Sequence, residues 1–143
     1  MRKIQQGFSI VSAIFLLVVL AFLGAAMVTF STSQQQASAL DVLGARAYQA
    51  ARAGIEWGAY QVLPNSAVGF AAACRAAPAS GTLPAGTLAG TLSNFAVTVN
   101  CYSSAHSDAA ATVTMYQLTS TASQGAVGSM DYVVRQLQVS IAQ

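Results

Sequence analysis

At 143 residues the chain is long enough for one domain, yet 55% hydrophobic residues and a mean hydropathy of +0.54 are too apolar for an ordinary soluble protein of that size. Its formal charge of +2 belongs to Arg2 and Lys3, because Arg46, Arg52, Arg75 and Arg135 are balanced by Asp41, Glu56, Asp108 and Asp131. Without a basic field beyond the third residue, nucleic-acid binding is excluded as a primary role.

The chain opens with residues 1–7, MRKIQQG, and then runs from Phe8 to Phe30 without a charge or a proline, interrupted only by Ser9, Ser12 and Thr29. A helix over 8–30 would span roughly 30–35 Å, which matches a bilayer core. Arg2 and Lys3 ahead of it predict a cytoplasmic N-terminus and an exported remainder, hence a single-pass membrane protein. Two other readings compete. A buried core helix would need surrounding helices that the rest of the chain does not supply, and a cleaved secretory signal would need a shorter run closed by a small-residue cleavage site.

From Ser31 to Leu63 no proline intervenes, and Leu40, Leu43, Ala47, Ala50, Gly54 and Trp57 recur at spacings of three and four. That spacing predicts an amphipathic continuation, 31–63, with a narrow stripe on one face and Pro64-Asn65 as its stop. One helix of roughly 55 residues and about 80 Å would result. Gly24, Gly44, Gly54 and Gly58 each cost such a helix about 1 kcal/mol relative to alanine. Close approach of a neighbouring helix, for which Gly54 and Gly58 form a small-xxx-small pair, and a bend are the two explanations that the sequence offers.

Residues 64–91, including PASGTLPAGTLAGTL, read as an irregular loop. The period then changes to two: FAVTVNC (95–101), TVTMYQLTST (112–121) and DYVVRQLQVSI (131–141) predict three antiparallel strands, with Phe95, Val97, Val99 and Cys101 on one face. SSAHSDAA and ASQGAVGS read as turn-like connectors. The expected fold class is therefore α+β, a long N-terminal helix packed on a small C-terminal antiparallel sheet, with 64–143 as a loop-rich ectodomain.

Cys74 and Cys101 both lie beyond the apolar run, on the oxidising side in this topology, and are expected to pair; two free thiols, or a metal site drawing on His106, are the alternatives. Closing the 26 intervening residues would stabilise the fold by roughly 3–4 kcal/mol. The only histidine, His106, stands two residues from Asp108 among serines, a Ser/His/Asp set on paper but without a nucleophile elbow or metal-ligand spacing. No catalysis, cofactor or metal is expected. Trp57 and Tyr60 suit core packing on the helix, while Phe70, Tyr102, Tyr116 and Tyr132 suit either an exposed aromatic surface or the inner side of the sheet.

A short basic leader ending in Gly7, an apolar helix from Phe8, an amphipathic continuation and a small sheet resemble the type IV pilin and pseudopilin superfamily. The likeness covers the chain in outline and is most specific in QGFSIVSAIFLLVVLAFLG and, more weakly, in QAARAGIEWGAYQ; within the superfamily it points to the minor subunits of MSHA-type pili. The resemblance implies cleavage between Gly7 and Phe8 by a prepilin peptidase, methylation of the new Phe8 amine, and passage from the inner membrane into an extracellular pilus. It implies as partners the major pilin, other minor pilins and the inner-membrane assembly platform. The chain departs from the pattern at Ser12, the fifth residue after the cleavage point, where most members carry glutamate. An uncharged residue there suits a subunit at the filament tip, since an unpaired charge in lipid costs at least ~2.5–3.5 kcal/mol. A serine that merely bonds back to its own helix is the plainer alternative. The implied role is assembly or initiation of the pilus, with a type II secretion pseudopilin and a tip adhesin as alternatives.

Overall fold

The computed structural model describes residues 8–64, 68–108 and 111–143, with only the backbone of Phe8, Ser9, Asp108 and Ala111. The expected leader, with Arg2, Lys3 and Gly7, and the Asn65 of the expected helix stop lie outside the described residues. The elements are helix α1 (Phe8–Val62), helix α2 (Phe70–Ala76) and strands β1 (Ala79–Thr82), β2 (Ala96–Asp108), β3 (Ala111–Gln124) and β4 (Val133–Ala142), with a short 3₁₀ turn at Gly90–Leu92. This is the α+β layout expected from the sequence, a long N-terminal helix and a small antiparallel sheet. The chain divides into two units, the part of α1 up to Ala39 and Leu40–Gln143.

In the second unit the sheet has four strands in the order β1-β2-β3-β4, every neighbouring pair antiparallel. The long β2–β3 ladder runs from Ala96↔Ser123 to Asp108↔Ala111, and β3–β4 from Gln124↔Val133 to Met115↔Ala142. Alternation decides what is buried. On β2, Phe95, just before the strand, with Val97, Val99 and Cys101 forms the expected inner face, and on β3 the matching set is Tyr116, Leu118, Ser120 and Ala122.

The expected helix stripe is buried at Ala47, Ala50 and Gly54, flanked by Leu43 and Trp57, and departs from expectation at Leu40. Gly44, Ala47, Ala51, Gly54, Gly58 and Val62 are buried, with Ala50 beside them, whereas Leu40 is 47% exposed and Trp57 only half-buried. The reason is distance. A Cβ added at Gly54 would lie 2.6 Å from Val97 Cγ1 and would also strike Ser120, and one added at Gly58 would lie 3.0 Å from Val99 Cγ1 and 3.3 Å from Leu118 Cδ1. The glycines therefore admit the sheet, and neither a neighbouring helix nor a bend is needed to account for them. The smallest residues mark the line of closest approach, and the large ones flank it.

Three further expectations change. Part of the loop 64–91 is ordered as α2 and β1, so the sheet has four strands where three were expected. SSAHSDAA is mostly not a connector: Ser103–Asp108 continue β2, because β3 offers a partner for every residue down to the hairpin. Tyr60, expected in the core, is 74% exposed on the far side of α1.

Because Gly54 is the tightest point, Gly54→Ala should lower the unfolding free energy by about 1–3 kcal/mol, read by urea denaturation of the full chain in detergent. Ser120→Ala alone should be neutral or mildly stabilising, since the Ser120 hydroxyl is buried without a hydrogen-bond partner among the described residues. Combined with Gly54→Ala it should restore part of the loss, a coupling expected between residues in contact.

Candidate functional site

The first feature to weigh is the surface of α1 between Ile10 and Phe30. Its most apolar window has a mean hydropathy of 2.8 and none of it is buried. Residues on every side of the helix are bare, among them Ile10, Phe15, Leu20, Phe22, Met27 and Phe30, each 63–76% exposed. An amphipathic helix would have hidden one stripe and wetted the other; here no face is polar. The helix is long and apolar enough to cross a bilayer, and its backbone groups are bonded along the helix as lipid would require. The few hydroxyls are accommodated locally: Thr29 Oγ1 donates to the Ala26 carbonyl at 2.7 Å and Thr32 Oγ1 to that of Val28 at 2.9 Å. Ser12 lies exposed on this stretch and is not without a partner. Phe8 is the first helical residue, and Gly7, the other side of the expected cleavage point, lies outside the described residues.

The second feature is the region where α1 ends and α2 takes over its cover of the sheet. Cys74, on α2, is joined to Cys101, on β2, with a Cα–Cα distance of 5.6 Å, and both are 2% exposed. Around the bond, Ser103 Oγ donates to the Cys74 carbonyl at 3.0 Å and Arg75 Nη1 donates to Tyr116 Oη at 2.8 Å. Phe70 packs on Trp57 with ring centroids 5.3 Å apart. β1 passes close to both rings: a Cβ at Gly81 would lie 2.9 Å from Trp57 Cη2 and 3.1 Å from Phe70 Cε2. The aromatic residues thus divide. Tyr116 is buried and Phe70 and Tyr132 half-buried, leaving Tyr102 as the one of the four with more than half its surface open, at 55%.

His106 is exposed in β2, opposite Val113, and not in a loop. Among the described residues no group of three or more His, Cys, Asp or Glu is arranged to hold a metal ion. An open hollow of about 210 Å³ between β1 and the 3₁₀ turn is lined by residues such as Thr82, Pro84, Leu88, Ser93 and Phe95, with no titratable side chain. What the arrangement offers is surface: a helix long and apolar enough to cross a membrane, and a small disulfide-bonded sheet domain.

α2 and β1 escaped the sequence reading because Ala-Ser-Gly-Thr has little strand preference and FAAACRA is short. The cysteines carried the missing signal. Once Cys74 sits on Cys101, the chain five residues later has to pass β2, and Ala79 pairs with Cys101.

No family model, no curated protein and no solved structure matches the chain.

Cys74→Ala with Cys101→Ala, or reduction of the wild-type chain, should lower stability by about 3–4 kcal/mol for a separation of 27 residues. Urea denaturation with and without reductant checks this, and the reductant should have no effect on the double variant.

Proposed function

We propose that this chain is a minor pilin, processed between Gly7 and Phe8, methylated at Phe8, and incorporated at or near the tip of an MSHA-like type IV pilus, where it helps to start or build the filament. The particular minor pilin that its two helical segments most resemble is MshP. The observation that carries this reading is one helix with two kinds of surface. Its first stretch is apolar on all sides, while the second is apolar and small on the one side that meets the sheet. A helix of the first kind can leave lipid for a bundle of similar helices at little cost, because apolar neighbours solvate it nearly as well as acyl chains do. The second kind keeps a folded domain attached to it throughout.

In this reading the basic leader faces the cytoplasm, the sheet faces the periplasm, and the partners are the prepilin peptidase, the major pilin, fellow minor pilins and the assembly platform. No turnover is part of the role. Ser12, lacking a carboxylate, leaves no charge stranded in lipid where no subunit lies ahead to pair with it.

Chain recovered from envelopes should begin at N-methylated Phe8, by N-terminal sequencing and intact mass; a start beyond Phe30 overturns the proposal. Ser12→Glu should shift the subunit away from the tip or reduce piliation, read by immunogold labelling and pilus counts. Unaltered placement and piliation would remove Ser12 from the mechanism. Co-purification with secretion pseudopilins in place of pili would assign the chain to a type II secretion system.

A further inference from the structure

We propose that the outer edge of β4 receives an extended strand from another polypeptide, one that sets a carboxylate beside Arg135 and apolar side chains beside Leu137, Val139 and Ile141. This stands apart from the pilin reading, since neither the membrane stretch nor Ser12 enters it.

The sheet order leaves β4 at an edge, and among the described residues no strand pairs with its outer side. Which backbone groups point outward follows from one pair. Gln143 and Thr114 exchange both backbone hydrogen bonds, at 2.7 and 2.9 Å. Antiparallel ladders alternate, so Ile141, Val139, Leu137, Arg135 and Val133 also turn their N–H and C=O groups toward β3. Val134, Gln136, Gln138, Ser140 and Ala142 then turn theirs outward, a row long enough for a strand of nine residues.

Natural sheets blunt such an edge with proline, a bulge, charged side chains, brevity or a covering helix or loop. β4 has ten residues in unbroken register, no proline or glycine, and one charged side chain, Arg135. Its helix-side face is also unfinished. Val133 is buried, but Leu137, Val139 and Ile141 are only half-buried, and α1 reaches β4 at its start, where the Arg135 guanidinium lies 3.2 Å from the Cβ position of Gly44. A strand laid along the edge would cover those three side chains and complete the ladder, the mode of recognition known as strand addition.

The charge of the occupant follows from Arg135. It is exposed, its hydrogen bond goes to the Val134 carbonyl at 3.5 Å, and the ion pair among the described residues is elsewhere, between Arg52 and Glu56. A planar guanidinium beside an open ladder suits a carboxylate. A second copy of β4 brings no acidic residue to that position, so a different strand is the better occupant.

The test uses ¹⁵N-labelled full-length protein in detergent micelles and two blocked nine-residue peptides of alternating Thr, with one Glu and three Val between, in Glu-first and Glu-last order. With one of them, amide exchange at Val134, Gln136, Gln138, Ser140 and Ala142 should slow about tenfold or more, while Arg135, Leu137 and Val139, already bonded to β3, stay unchanged. A peptide with Lys in place of Glu should protect far less, and Arg135→Gln should abolish the difference between them. Gln138→Pro removes an outward N–H that β3 does not use, so it should abolish protection with the thermal midpoint kept. Unchanged exchange with both Glu peptides overturns the proposal, as does equal protection by the Lys peptide. Protection that rises with protein concentration alone overturns it too, by placing a second copy on the edge.

Discussion

The ectodomain depends on how closely the α1 backbone approaches β2 and β3. At Gly54 there is no room for a methyl group, and at Gly58 one would be tight against Val99 and Leu118, so the valines and leucine of the sheet lie close against the helix backbone. In water those glycines would weaken the helix by about 1 kcal/mol each. Here the loss is offset by packing: Val97, Val99 and Leu118 are at most 4% exposed, and each such side chain contributes roughly 1.5–3 kcal/mol when fully buried. A close approach also fixes the direction in which the flanking residues point, which is how Trp57 reaches Phe70 and β1 while Tyr60 is turned to solvent.

From this one contact the remaining cover follows. α1 stops at Val62, and the inner face of β2 continues past it through Cys101 to Ser103. α2 closes that gap as a seven-residue helix, too short to be stable by itself. The disulfide, the Ser103 bond to the Cys74 carbonyl and the Arg75 bond to Tyr116 hold it in place. A small domain with a thin core gains most from a constraint on its unfolded chain, and the bond sits where, among the described residues, no second long helix does the same work.

Much of this was legible because periodicity reports burial. Phe95, Val97, Val99 and Cys101 alternate as an inner face should, and the proline-free stretch from Phe8 onward carries the signature of one helix. Of the expected helix stripe, Ala47, Ala50 and Gly54 are buried and Leu43 and Trp57 pack at its margin, while Leu40 is exposed, because a face pressed against a sheet selects for small size along its centre. The polar end of β2 was missed because Ser103–Asp108 are in the sheet by virtue of their partner strand and not their own preference. The apolar surface from Ile10 to Phe30 was plain in the sequence, and among the described residues none of its most apolar window is buried. Ser12 is of another kind. Its interest comes from what a resemblance would place there, which neither periodicity nor packing can supply.

The two sides of the sheet are finished unequally, and the difference bears on how the domain meets other molecules. On one side β1 pairs with the first part of β2, from Thr98 to Cys101, and the unpaired remainder toward the hairpin carries His106 and Asp108, polar residues that discourage another strand. On the other side β4 is continuous and nearly uncharged, with a half-covered apolar row beside it. Had solubility alone shaped the domain, the longer edge would need the stronger protection, yet it has the weaker. An edge left open in this way is stable in isolation only while nothing with a matching pattern is near. In the strand-addition proposal, the single arginine on that edge is the group that discriminates among such patterns by charge.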